Sequence, residues 1–252
     1  MGTGAITQYV NVAQLVLYAF WIFFAFLIYY LSRENHREGY PLVTEGGMKV
    51  TGFPIPAPKT YLLADGSTFS APNDFVSPQV LAAEPTHRWA GAPLVPTGAN
   101  PMLDGIGPGA WADRADHPDH DYHGHNKVQP LRLATDYDVQ AGDTDPRGLP
   151  VVGADGVVGG TVVEMWVDVA ESLFRYYELE VASNGRRVLL PMNFARCKRD
   201  KVTVGAILGH QFADVPGQRS MDQVTMLEEE KIQAYYGAGT LYAEPSRAEP
   251  LL

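Results

Sequence analysis

The sequence predicts one membrane-spanning helix followed by a mainly-β domain that ends in a second helix. Three observations predict this fold class: an uncharged apolar run near the amino end, a proline-rich middle, and a carboxy-terminal region of short valine-rich segments separated by turns. The chain of 252 residues carries a formal net charge of −10, and an acidic chain is a poor candidate for binding nucleic acid.

Residues 12–32 are predicted to cross the membrane. Met1 to Ser32 contain no charged side chain, and from Val12 to Leu31 only Gln14 is clearly polar. About 20 apolar residues in a helix reach roughly 30 Å, the thickness of a bilayer core. A secretory signal would begin with basic residues and end at a small-residue cleavage site, and this run does neither. A buried core helix would show an amphipathic stripe, whereas this run is apolar on every face.

The flanking charges predict the orientation of the span. Arg33 and Arg37 follow it directly, and the residues before Asn11 include no Lys or Arg. The positive-inside rule then places residues 1–11 in the periplasm and the bulk of the chain in the cytoplasm. The single cysteine, Cys197, cannot form an internal disulfide, which agrees with a reducing compartment.

Residues 33–110 are predicted to lie extended over the surface of a partner. Between Pro41 and Pro150 the chain holds 15 of its 19 prolines, so long helices cannot form there. Short apolar pieces, Thr60 to Leu63 and Gln79 to Ala82, suggest isolated strands within the proline-rich region. An extended segment of this length is expected where a partner supplies the surface on which it packs.

Residues 111–252 are predicted to form a small antiparallel barrel with a C-terminal helix. Two turns, at residues 154–156 and 183–185, separate apolar runs, and the Asn184-Gly185 pair is a strong hairpin signal. In residues 177–181 apolar and acidic side chains alternate, as in a half-buried strand. Near the end, Ser220 or Asp222 is expected to cap a helix and Gly237 to end it.

No enzymatic motif stands out in the chain. The sequence has no P-loop, no glycine-rich dinucleotide fingerprint, no G-x-S-x-G and no H-E-x-x-H. It therefore predicts a protein without an active site of its own.

Histidines and acids concentrate between residues 113 and 125. The members of this cluster are Asp113, Asp116, His117, Asp119, His120, Asp121, His123 and His125. Three interpretations remain open: a solvated polar loop, a metal site, and a surface that collects protons. Imidazole and carboxylate suit zinc or copper, although the spacing matches no closed structural-zinc pattern. Histidine titrates near neutral pH, and neighbouring carboxylates favour its protonated form.

A second acidic pair, Asp168 and Glu171, follows an apolar strand. Trp166 and Phe174 flank the pair, so partial burial is expected, which would suit a proton relay. Arg175 lies four residues after Glu171 and is expected to pair with it. The alternative is an ordinary turn with surface acids.

A series of specific segments resembles the H subunit of the photosynthetic reaction centre of purple bacteria along essentially the whole chain. The segments come in the family's order and include YAFWIFFAFLIYYL, REGYPL, PKTYLLADG, PTGANPMLDGIGPGAW, GHNKVQPLR, DPRGLPVVGADG, VVEMWVDV, YYELEV, VLLPM, FADVP and QVTMLEEEKIQAYYGAGTLYA. The resemblance implies a PRC-type barrel and a single-pass protein of the bacterial inner (intracytoplasmic or chromatophore) membrane.

The resemblance also implies partners and a role. The subunit would stabilise the L and M subunits, cap their quinone–iron region and conduct cytoplasmic protons to the reduced secondary quinone. It would bind no cofactor itself; bacteriochlorophyll, bacteriopheophytin, quinones, non-haem iron and carotenoid would lie on partner subunits. Membrane lipids, the core light-harvesting antenna and, in many species, a cytochrome subunit are further expected neighbours.

The family's proton residues carry over where the motifs match. The proton-uptake cluster corresponds to Asp121, His123 and His125, and the interior carboxylates correspond to Asp168 and Glu171 with Arg175 alongside. Ala170 departs from the family's common proline, so the turn that carries Glu171 could be set differently.

Neighbouring groups extend the expected site. Asp119 is added to the proton-transfer residues, and His117 and His120 are hypothetical participants. No native metal is expected, although His123 and His125 could bind adventitious zinc. Two alternatives stay open: a membrane-anchored structural adaptor, and a metal-binding or hydrolytic domain built on the His117–His125 cluster.

Overall fold

The computed structural model describes residues 4–6, 9–73 and 80–248. The chain forms two compact units. The first comprises Met1–Val80 and His87–Pro93, and the second comprises Leu81–Thr86 and Leu94–Leu252. The segment limits expected from composition, at residues 33–110 and 111–252, stay a prediction.

The first unit begins with helix α1, Val12–Glu34. The Asn11 side chain caps it by accepting a hydrogen bond from the Gln14 N–H at 2.8 Å. No residue of α1 is buried, and by length and composition a helix over Val12–Arg37 could cross a membrane. A helix that is apolar all round and unburied in its own chain needs an apolar solvent, so this finding supports the predicted span.

Two hairpins complete the described part of the first unit. Strand β1, Leu42–Val43, pairs with β2, Lys49–Val50, and β3, Lys59–Leu62, pairs with β4, Thr68–Ala71. A strand was expected at residues 60–63, and it is present, although paired rather than isolated. Of the strand expected at residues 79–82, Gln79 lies outside the described residues and the rest is not in a strand.

The second unit contains a short hairpin and one larger sheet. Strand β5, Ala83–Pro85, pairs with β6, Leu94–Pro96. The larger sheet has seven strands: β7 Val128–Pro130, β8 Pro150–Val152, β9 Val158–Asp168, β10 Leu173–Val181, β11 Arg187–Pro191, β12 Ala195–Cys197 and β13 Val202–Val204. Their order is β11-β10-β9-β8-β13-β12, and β7 pairs with the far end of β9. The sheet curls into a half-barrel, and β9 changes neighbour along its length, from β8 near Val158 to β7 near Asp168.

One strand pair differs from the expected antiparallel arrangement. Strands β8 and β13 are parallel, with Val151 opposite Val202 and Val152 opposite Thr203. Four strands separate β8 from β13 in the chain, so their connection is long enough to bring the two strands together in the same direction. The hairpin expected at Asn184-Gly185 is confirmed, and Gly185 has a φ of +66°.

The core of the second unit lies between the sheet and helix α2, Met226–Tyr242. Thr225 caps this helix, and its side chain and that of Glu228 exchange hydrogen bonds with each other's backbone N–H groups. The expected caps Ser220 and Asp222 are therefore wrong by several residues. Gly237 does not end the helix.

Two helical glycines in α2 serve close packing instead of termination. A Cβ on Gly239 would lie 2.6 Å from the Ala206 carbonyl oxygen, and one on Gly237 would collide with the Pro108 carbonyl oxygen. The chain uses glycine at both positions because backbone passes directly over the helix there.

Strand β10 differs from the expected half-buried pattern. Glu178 is 1% exposed although its neighbour Glu180 faces solvent. The Glu178 carboxylate accepts hydrogen bonds from Trp166 Nε1 at 3.0 Å, Arg132 Nη1 at 3.2 Å and Arg187 Nη1 at 3.3 Å. These three donors make burial of the charge tolerable, since a buried carboxylate needs paired charge and hydrogen bonds.

Candidate functional site

The Asp121 carboxylate organises the histidine-rich loop. Its Oδ1 accepts hydrogen bonds from the backbone N–H groups of His123 at 2.8 Å and His125 at 2.9 Å. The Asp121 N–H in turn donates to the His125 carbonyl at 2.8 Å, and Gly124 supplies a φ of +85°. The backbone at His123 and His125 is therefore a tight turn.

This turn also sets the electrostatics of the loop. The His125 N–H, followed by that of His123, holds the pKa of Asp121 below its ordinary value of 3.8, against the opposing effect of partial burial. Asp121 Oδ2 lies 3.4 Å from His125 Nδ1, and the His123 and His125 ring centroids are 6.2 Å apart. Asp121 therefore stays ionised near neutral pH, beside the imidazole rings of His123 and His125.

Asp168 lies at the far end of β9 and is 1% exposed. Its Oδ1 accepts hydrogen bonds from the N–H groups of Ala170 at 3.1 Å and Glu171 at 3.0 Å. The turn that follows β9 is thus held by the Asp168 side chain. The alanine at position 170 supplies an N–H that a proline there would lack.

The Lys127 side chain lies between Asp119 of the histidine-rich loop and the Asp168–Glu171 pair. Its Nζ lies 3.3 Å from Glu171 Oε1, 3.7 Å from Asp168 Oδ2 and 3.8 Å from Asp119 Oδ2. The hydrogen bond to Glu171, then the charge of Asp168, raises the pKa of Lys127, so this lysine stays protonated. The backbone supports the same junction, because the Lys127 N–H donates to the Asp119 carbonyl at 2.8 Å and the Val169 N–H donates to the Lys127 carbonyl at 2.9 Å.

No pattern in the sequence identifies Lys127 as a residue of the candidate site. A lysine two residues after the histidine cluster carries no signal by itself, because its partner carboxylates come from a strand end some 40 residues later. Only the pairing of β7 with β9 brings these two segments together.

The expectation that Arg175 pairs with Glu171 is wrong. Arg175 Nη1 lies 3.9 Å from Asp168 Oδ2, whereas Glu171 binds Lys127. The reason is local geometry: Arg175 is in β10 next to the end of β9, where Leu173 pairs with Asp168, while Glu171 lies in the connecting turn. Asp168 therefore lies between two cations.

Of the two other candidate histidines, His120 contacts this junction through its backbone N–H, which donates to Asp119 Oδ1 at 3.0 Å. The rings of His117 and His120 stack on each other with centroids 6.0 Å apart, and His117 Nδ1 contacts the Pro118 carbonyl oxygen at 2.9 Å. Within the described ranges, no group of three His, Cys, Asp or Glu side chains has a geometry that could hold a metal ion. His123 and His125 accordingly have no third ligand there.

A buried carboxylate that sequence reasoning missed lies on α2. The Tyr176 hydroxyl donates to Glu229 Oε1 at 2.7 Å, and both residues line a cavity of about 210 Å³ together with Arg114 and Arg175. Burial raises the pKa of Glu229 above its ordinary 4.5, and the Tyr176 hydrogen bond and the two arginines oppose that rise. Three successive glutamates at 228–230 look like a solvated helix face, so nothing in the pattern marks the middle one as buried.

The family comparison agrees with this architecture. Residues 4–133 match the family model described as the photosynthetic reaction centre, H-chain N-terminal region. The chain belongs to this family. Residues 138–211, which contain strands β8 to β13, match the PRC-barrel domain. The expected resemblance and the expected fold class are thereby confirmed.

Family membership establishes the setting of the molecule. Reaction-centre H chains are non-catalytic subunits of an electron-transfer complex, and membership implies association with the L and M subunits. With its one candidate membrane helix near the amino end, this subunit is anchored in a membrane.

Proposed function

We propose that this subunit conducts cytoplasmic protons to the reduced secondary quinone of the reaction centre and caps the quinone–iron region of the L and M subunits. One observation carries the proposal: the Lys127 ammonium lies within 4 Å of three carboxylates that come from different parts of the chain. Asp119 belongs to the histidine-rich loop, whereas Asp168 and Glu171 belong to the end of β9. These contacts gather a residue of the exposed loop and two residues at the end of β9, one of them the buried Asp168, around a single cation.

Proton uptake is assigned to Asp121, His123 and His125. The loop places the Asp121 carboxylate 3.4 Å from His125 Nδ1 and the His123 ring beside that of His125, so three groups able to accept a proton lie together at the surface. Exposure matters here, because the His125 side chain is 72% exposed and can exchange protons with water directly.

Transfer inward is assigned to Asp119, Asp168 and Glu171, with Lys127 and Arg175 as positioning cations. Groups that exchange protons must lie within hydrogen-bond reach, directly or through one water. Lys127 lies within 4 Å of all three carboxylates and so holds them close to one another. Reduction of the quinone on a partner subunit adds negative charge, which increases the proton affinity of nearby carboxylates.

The double variant Asp168→Asn with Glu171→Gln tests the route. We expect a slower second electron transfer to the quinone in flash kinetics, with unchanged charge separation, since that transfer requires a proton. A matched control replaces two exposed acids without an ion pair in the described residues, Asp143→Asn with Glu45→Gln, and keeps native kinetics. Native kinetics in the first variant would remove both residues from the route.

The capping role and the orientation have separate tests. Hydrogen exchange should be slower in residues 33–110 of the assembled complex than in the isolated chain, because L and M cover that segment. The amino end should react with a membrane-impermeant label only from the periplasmic side. Equal exchange in both states would remove the capping proposal.

We propose the remaining partners from the same family membership. A near-infrared spectrum of the complex purified in mild detergent should show bacteriochlorophyll and bacteriopheophytin bands contributed by the partner subunits, with carotenoid, quinone and non-haem iron on the same subunits. Antenna, cytochrome and lipid contacts would appear as co-purifying components. A colourless preparation of this chain alone would overturn the assignment of partners.

A further inference from the structure

A hairpin of the PRC-barrel domain concentrates positive charge in an acidic protein. Arg196, Lys198, Arg199 and Lys201 fall within six residues of a chain whose net charge is −10. None of the four forms an ion pair with any described residue, whereas the other cations named above mostly bind carboxylates. The positive charge of this hairpin is therefore not used inside the subunit.

The strand register directs these charges to one face. Strands β12 and β13 pair Arg196 with Thr203 and Cys197 with Val202, and the Lys198 N–H donates to the Lys201 carbonyl at 2.8 Å. Side chains alternate between the two faces of a strand. Because Val202 is buried in the core, the opposite face carries Arg196, Lys198, Lys201 and Thr203.

Lys198 and Lys201 form a like-charge pair across the end of the hairpin. Like charges directly opposite each other in an antiparallel pair destabilise it. No described carboxylate, including that of the neighbouring Asp200, forms an ion pair with either lysine. An anion placed between the two ammonium groups would relieve their repulsion and gain two charge-assisted hydrogen bonds.

The same face lines a cavity of about 550 Å³. Its lining includes Arg196, Lys198 and Lys201 but no Asp or Glu. The nearby Asp155 is not among the lining residues, and its Oδ1 accepts hydrogen bonds from the N–H groups of Val157 and Gly209, each at 3.1 Å. Cavities of a few hundred Å³ with a few convergent polar groups are typical of small-ligand sites.

We propose that this cavity binds a soluble anion that carries at least two phosphate groups, such as a pyrophosphate or a nucleoside diphosphate. Lys198 and Lys201 bind one phosphate between them, and Arg196 binds the other through its planar fork of donors. Gly156 also lines the cavity, and the space where a Cβ would stand on it is open. The cavity is lined by none of the residues assigned to proton transfer, so a test of this site does not depend on the proposed function.

Isothermal titration calorimetry on the intact, solubilised reaction-centre complex tests the site. The probes are pyrophosphate, inorganic phosphate, and dihexanoyl phosphatidylglycerol as a soluble lipid with a single phosphate. We expect pyrophosphate to bind more tightly than either single-phosphate probe. The variant Lys198→Gln with Lys201→Gln should bind pyrophosphate at least about tenfold more weakly, because two charge-assisted hydrogen bonds are lost.

A charge-matched control removes two exposed cations that do not line the cavity, Arg199→Gln with Lys49→Gln. It should keep native affinity for pyrophosphate. Without ligand, the Lys198→Gln, Lys201→Gln variant should melt no lower than the native subunit, since it removes a repulsion, and this separates lost binding from lost folding. Absence of binding, equal weakening in both variants, or tighter binding of the lipid than of pyrophosphate would overturn the proposal.

Discussion

The buried hydrogen bond between Tyr176 and Glu229 gives a prediction whose size depends on pH. Tyr176 is fully buried and Glu229 is 8% exposed, so water cannot replace the hydroxyl that Tyr176→Phe removes. Hydrogen bonds to charged groups contribute about 1.5–3 kcal/mol to stability, and neutral ones about 1 kcal/mol. We therefore expect Tyr176→Phe to lower the free energy of unfolding by about 2 kcal/mol when Glu229 is ionised.

The pKa of Glu229 sets the direction of the pH dependence. Its pKa is raised in the folded state, so protonation favours folding, and that stability is present below the ordinary value of 4.5 and lost as the pH rises through the folded pKa. The Tyr176 hydroxyl opposes the rise, so its removal makes the loss at high pH larger. At pH 4, with Glu229 protonated, we expect a loss of only about 1 kcal/mol.

Urea unfolding of the full-length chain in mild detergent, followed by near-ultraviolet circular dichroism at pH 4 and pH 8, measures both values. Tyr236→Phe is a matched control, because the Tyr236 hydroxyl is also buried but has no hydrogen-bond partner among the described residues. That variant should be neutral or stabilising at both pH values. Equal losses at pH 4 and pH 8 for Tyr176→Phe would refute the role assigned to the Glu229 charge.

Three further predictions concern local geometry. Gly159→Ala should destabilise the chain by about 1–3 kcal/mol in the same unfolding assay, since a Cβ there would collide with the Phe212 ring; a neutral result would mean that the ring moves freely. Thr225→Ala should lower stability by about 1 kcal/mol through loss of the α2 cap, and Thr225→Ser should restore most of it. Asp121→Ala should speed hydrogen exchange of the His125 amide without affecting α2 amides, and unchanged exchange would show that the carboxylate does not hold the loop.

Local sequence signals were enough wherever an element depends on its own residues. Helix α1 needed only an uninterrupted apolar run, and the β10–β11 hairpin needed only Asn184-Gly185 between strand-forming segments. The start of α2 was harder, because Ser220, Asp222 and Thr225 are all plausible caps. The choice of Thr225 depends on Glu228, three residues later, which completes the reciprocal hydrogen bonds.

Features that depend on distant residues could not be predicted. Glu178 looked solvent-facing by alternation, but a register shift beside it in β10 and donors from distant segments allow its burial. Likewise, the motif identified Asp168 and Glu171 as candidates, whereas the cation that joins them to Asp119 depends on the pairing of β7 with β9. A sequence pattern describes the periodicity of a single segment, whereas each of these contacts joins residues from several segments.

The absence of buried residues in α1 has a consequence for the synthesis and membrane insertion of the subunit. The helix precedes every strand of the chain and has no buried residue, so in water its apolar side chains would attract other proteins. Because synthesis runs from the amino end, this apolar segment is made before the strands that follow it, and it can enter the bilayer before the sheet is complete. The carboxy-terminal domain then folds while already tethered, and its search for the L and M subunits takes place along the membrane surface instead of through the volume of the cell.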